Sequence, residues 1–207
     1  MNSRTPGITG RPAAAVSTFG PGGQVYAASL VGGFKLVAGS KAYTFFDIAE
    51  SNPDPWSKVL TNLKEAGKIG NSMNYIGKQY ALRISKVDGT VVTAAEQAAL
   101  IEFMMGSRVE LYVGSNQTKV SEIDCSHFLN VVNTSSTDAT SVCLPVNQAA
   151  WMALPGQMQQ GLQRNTEISG SFFCNLPAGT PAALGMADAV NPKFIMKFVI
   201  AGEKQTK

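Results

Sequence analysis

Histidine occurs once in the 207 residues, at His127, and cysteine three times, at Cys125, Cys143 and Cys174. So few imidazoles and thiols leave little material for nucleophilic or metal chemistry. There is no CxxC pair and no disulfide framework, so a reducing interior is the expected folding environment and the cysteines are expected to be small buried apolar residues. Charge is scarce too: 15% of the chain, against roughly 25% in ordinary soluble domains. No apolar run approaches the ~18 residues a membrane-spanning helix needs. The opening MNSRTPGITGRPAAAVSTFGPGG lacks the apolar stretch of a secretory signal. Neither end carries a dense Lys/Arg run, so strong direct nucleic-acid binding is not expected.

The local clusters that remain offer weak chemistry. Asp124-Cys125-Ser126-His127 sets an acid, a thiol, a hydroxyl and an imidazole side by side. Catalytic groups converge from different elements, which immediate neighbours do not. On a strand, Cys125 and His127 share a face and Asp124 points away. The cysteines and His127 have no zinc-ligand spacing. Asp47, Glu50 and Asp54 form no calcium loop, and Asp54 is explained as a helix cap. Gly20-Pro21-Gly22-Gly23 and Gly32-Gly33 match neither a phosphate loop nor a dinucleotide fingerprint. No catalytic, cofactor-binding or metal site is therefore expected, no cofactor is implied, and the chain does not read as an enzyme.

What is present is apolar and β-rich. Hydrophobic residues make up 44% of the chain and the net charge is +3. Before Asp47 there are four basic residues (Arg4, Arg11, Lys35, Lys41) and no acid, and Lys193, Lys197, Lys204 and Lys207 stand near the end against Glu203 alone. The middle is net acidic, a bias that can help copies dock. Residues 1–23 read as an extended or flexible N-terminal arm. Residues 24–207 read as one domain. Val25–Leu30 and Phe34–Val37 suggest a small hairpin around Gly32-Gly33. Ala42–Ala49 has strand composition. Asp54, Pro55 and Gly67 bracket a helix with Trp56, Val59, Leu60 and Leu63 on one face. Thr93 and Glu96 open a second helix with a capping box, running to Gly106. Strands are expected over Gln79–Val87, Arg108–Val113, Glu122–Val132, Ser141–Val146, Thr166–Cys174 and Phe194–Ile200. Short strands without regular β-α repeats argue for an antiparallel sandwich.

The order of these elements resembles the vertical single jelly-roll major capsid proteins of tailless icosahedral bacteriophages and archaeal viruses. The resemblance covers roughly residues 42–202. It runs from Thr44-Phe45-Phe46-Asp47 through Tyr80-Ala81-Leu82-Arg83-Ile84 and Val109-Glu110-Leu111-Tyr112-Val113-Gly114 to Ile168–Cys174 and Phe194–Ile200. It implies a mainly β fold: an antiparallel jelly-roll sandwich with two short helices in the loops and an extended N-terminal arm. It also implies a structural capsid protein that self-assembles into an icosahedral shell through trimeric or pseudo-hexameric capsomers. The implied partners are copies of itself, other capsid proteins such as penton or minor proteins, and an internal membrane beneath the shell. The implied location is the virion, after synthesis in the host cytoplasm. Two other readings of the residues stay open. One is a lectin-like or fibre-tip β-sandwich module recognising a glycan or host surface through Trp151. The other is an enzyme with one of the cysteines as nucleophile and His127 as base.

Overall fold

The computed structural model describes residues 24–37, 40–70, 73–132, 141–143, 152–153, 162, 165–174, 180–186 and 190–206. The expected arm over 1–23 and the loop Asn133–Thr140 lie outside the described residues.

The strands are β1 (Gln24–Lys35), β2 (Ala42–Phe45), β3 (Met73–Lys86), β4 (Ser107–Val113), β5 (Thr118–Asp124), β6 (Asn130–Val132), β7 (Ser141–Cys143), β8 (Met152–Ala153), β9 (Ile168–Cys174) and β10 (Phe194–Thr206). The helices are α1 (Ser57–Leu60), α2 (Ala94–Met105) and α3 (Thr180–Ala183), with a 3-10 turn at Cys125–Phe128. The chain is mainly β. Two four-stranded antiparallel sheets, β1-β10-β3-β8 and β2-β9-β4-β5, form a sandwich, and β6 pairs with β7 separately. The pairing is nested: β1 with β10, β2 with β9, β3 with β8, and β4 with β5.

Alternation explains which side chains meet inside. Along β10, Phe194, Met196, Phe198 and Ile200 are fully buried in the core, as the two-residue period of a strand requires. Tyr80, Leu82 and Ile84 of β3 join them, and Val109, Leu111, Ile168 and Phe172 enter from the other sheet. Rings knit the two layers. Phe34 stacks on Tyr43 at 4.3 Å between centroids, and Phe45 lies 5.4 Å from Phe198. Each such side chain contributes about 1.5–3 kcal/mol by leaving water. Helix α2 joins the same core. Its capping box forms as expected, with Thr93 accepting from the Glu96 N–H and Glu96 accepting from the Thr93 N–H. Leu100, Phe103 and Met104 are buried, and Phe103 stacks on Phe172 at 5.2 Å.

The other face of β10 is also buried. Ile195 and Val199 are covered, together with Ala81 and Leu60, yet stand outside the main core cluster. Helix α1 lies against β1 and β10 on that side.

Three local expectations are corrected. There is no hairpin at Gly32-Gly33; β1 runs straight through both glycines and pairs with β10 along its whole length. The glycines serve close approach, not turning. A Cβ on Gly32 would sit 2.5 Å from Phe46 Cδ1, and one on Gly33 would sit 2.6 Å from the Met196 carbonyl. The helix bracketed by Asp54 and Gly67 is a single turn, Ser57–Leu60, with Trp56 at its N-cap. Asp54 instead accepts from the Trp56 N–H at 2.9 Å. The chain leaves the helix at Thr61 (φ −143°, ψ 156°), because Leu60 belongs to the outer layer and Leu63 to the core. A continued helix would put residues three apart on one face. Finally, the strand expected over Glu122–Val132 is broken. Asp124 accepts from the Ser126 N–H at 2.8 Å and starts the 3-10 turn. Helix α3 was not expected, although Thr180-Pro181 at its start and Gly185 (φ +61°) just past it are helix-end signals.

Candidate functional site

The Asp124-Cys125-Ser126-His127 cluster does not assemble into a reactive array. Asp124 ends β5 and the other three lie on the 3-10 turn, so Cys125 and His127 do not share a face: Cys125 is buried and His127 exposed. Burial pushes the Cys125 thiol well up from its ordinary value, and burial pushes that of Cys174 up to about 11. Neither thiol is poised as a thiolate at neutral pH. Both are free. Asp47, Glu50 and Asp54 are each otherwise engaged: Thr44 donates to Asp47, Lys64 pairs with Glu50, and Lys35 pairs with Asp54 at 2.8 Å. Among the described residues no group of three or more His, Cys, Asp or Glu side chains is placed to hold a metal ion. Among them too, no helix is long and apolar enough to cross a membrane. Trp151 lies outside the described residues, as do the side-chain surroundings of Cys143.

Two charged networks were invisible in the sequence. The first is buried. Glu96, about 5% exposed, receives Lys193 at 2.6 Å and Lys86, about 8% exposed, at 3.1 Å. The Lys193 hydrogen bond is the main cause that holds the Glu96 carboxyl down at about 2, despite burial. The capping box pointed to Glu96, but nothing marked its two lysines. The network ties the start of α2 to the end of β3 and to the approach to β10. The second covers the outer face of the β2-β9-β4-β5 sheet. Arg108 contacts Glu110 at 3.2 Å, Lys119 contacts Glu122 at 2.5 Å, and Tyr112 donates to Glu110. Arg108 also lies over the Phe173 ring, 4.7 Å from its centroid. This face is polar and internally neutralised.

The sandwich is open along one side, where β1 and β2 are the outermost strands of their sheets. A groove of about 410 Å³ runs there, lined by Gly33, Phe34, Lys35 on β1 and Ala42, Tyr43, Thr44 on β2. Hydrogen-bond parity shows what it presents. The Leu36 N–H donates to the Phe194 carbonyl, so even-numbered residues of β1 face β10 and odd-numbered ones face outward. The Cys174 N–H donates to the Lys41 carbonyl, so Ala42 and Thr44 of β2 face outward. The outward N–H and C=O groups of Gly33, Lys35, Ala42 and Thr44 therefore open on the groove. Among the described residues none of them is hydrogen-bonded there. Further along, the β1 edge is closed. Asn62 accepts from the Val31 N–H at 2.8 Å and donates to the Ser29 carbonyl at 2.7 Å, and Thr61 donates to the Val31 carbonyl at 3.1 Å.

No family model, no curated protein and no solved structure matches this chain. The geometry alone must carry the functional reading. Among the described residues it gathers no nucleophile with a base. What it offers is main-chain hydrogen bonding along an open side, on a rigid two-sheet body.

Proposed function

We propose that the chain is a structural coat subunit that builds a closed shell from copies of itself. The observation that carries the reading is the nested strand pairing, β1·β10, β2·β9, β3·β8 and β4·β5, split between two sheets. A long antiparallel ribbon folded over on itself and rolled into two layers pairs its strands in this nested way. That supports the jelly-roll topology, which viral capsid domains use. Lectin domains and cupins use it as well, so the topology supports the architecture and the composition argues the role. A surface poor in charge favours packing against neighbours. Sides that repeat from copy to copy allow heterologous contacts that close into rings and shells.

On this reading the subunits form trimeric or pseudo-hexameric capsomers of an icosahedral virion. Penton or minor proteins complete the shell, and an internal membrane is a further candidate layer. The direct test is sedimentation of the full chain from its native source. Megadalton particles support the reading; a protein that stays monomeric at high concentration overturns it.

A further inference from the structure

The open groove between β1 and β2 meets a requirement that ordinary packing does not explain. Sheet edges with free main-chain groups invite another strand, and proteins cover or blunt them. This chain blunts the β1 edge at Ser29–Val31 with Asn62 and Thr61, yet leaves it open two residues later at Gly33 and Lys35. The facing edge of β2 is open at Ala42 and Thr44. Two edges open toward the same groove make an acceptor for an extended segment. Such a segment would gain main-chain hydrogen bonds from either strand and apolar contact with Phe34 and Tyr43.

We propose that the groove receives residues 13–19 (AAAVSTF) of the N-terminal arm of a neighbouring copy, added as a strand. The inference rests on the shell reading, since it needs copies side by side. Three features select this occupant. The segment has no charge, small side chains, and β-branched and aromatic residues at Val16, Thr18 and Phe19. The arm is basic, with Arg4 and Arg11 and no acid; of the two charged residues that line the groove, Lys35 is paired with Asp54, while Asp47 has no cationic partner among the described residues. Reach and route decide between the arm's own body and a neighbour. The arm joins β1 at Gln24, nine residues and about 30 Å along the strand from Gly33. To reach its own groove it would have to reverse and run along the β1 edge, where Asn62 and Thr61 occupy the outward groups of Ser29 and Val31. Phe19 and Ala13 lie five and eleven residues before Gln24, so the segment starts within about 18 Å of its own body and ends within about 40 Å, a span that crosses to an adjacent subunit packed at that end without the detour.

The test uses cysteine pairs in the full-length protein. Ala14→Cys and Thr44→Cys are made in separate chains, which are co-expressed, oxidised and run without reductant. The same material is imaged by negative stain, and each variant alone controls for the native cysteines. The expected result is an Ala14→Cys/Thr44→Cys heterodimer band, absent from both controls, in particles of normal size. Particles that form without that band, or a double variant that cross-links only within one chain, overturn arm exchange and leave the shell reading intact. The band without particles would keep arm exchange and remove the shell. Neither band nor particles would remove both.

Discussion

Glu96 shows how one side chain can hold three elements. It closes the capping box of α2 and accepts from Lys86 and Lys193. Removing its charge leaves Lys86 buried with no counter-charge. Glu96→Gln should destabilise the fold by roughly 2–4 kcal/mol at neutral pH, measured by urea unfolding. The pH dependence follows from the sign of the shift. The folded carboxyl titrates at about 2, below its ordinary 4.5. Its contribution is therefore complete above about pH 4.5 and lost as pH falls toward 2, where the unfolded chain binds the proton more readily. Wild type and Glu96→Gln should converge in stability across that window; a constant gap would contradict the assignment. Glycines separate by the same logic. Gly32→Ala would drive a methyl into Phe46, whose backbone N lies 2.6 Å from the new Cβ, and should cost about 2 kcal/mol or more. Gly114→Ala meets open space, so only its φ of +83° opposes it, at about 1 kcal/mol. Thermal unfolding of the two variants ranks them.

Among elements, those written by local periodicity or chemistry were legible in the sequence. The α2 capping box, the alternation of β4 and β9 and the buried row of β10 all read correctly, because a cap or a two-residue period is set by neighbours in the chain. What failed was decided by distant partners. Gly32-Gly33 carries a turn signature, but Phe46 and Met196 press on it from elsewhere. The helix after Asp54 has good end signals, but the β1 edge claims Thr61 and Asn62 for strand-like bonding. The groove was not legible at all, since an open edge is a property of two strands meeting across a sandwich. Asn62→Ala tests the edge cap. Losing the bonds to the Val31 N–H and the Ser29 carbonyl should cost about 1 kcal/mol and speed hydrogen exchange at the Val31 amide. Unchanged exchange there would show that the cap does not protect the edge.

At the scale of the whole molecule, the two sheets bury their rings between them and give rigid outer faces of different character. The β4–β5 side is polar and neutralised within itself, while the β1–β2 side keeps main-chain groups available. On the proposed reading it is the open β1–β2 side that serves lateral assembly. We propose that assembly is its function. Electron microscopy of the full-length protein purified from its native source tests this most directly. The account predicts closed particles with icosahedral symmetry; a uniform field of single 21.9 kDa subunits at concentrations near those in the source would contradict it.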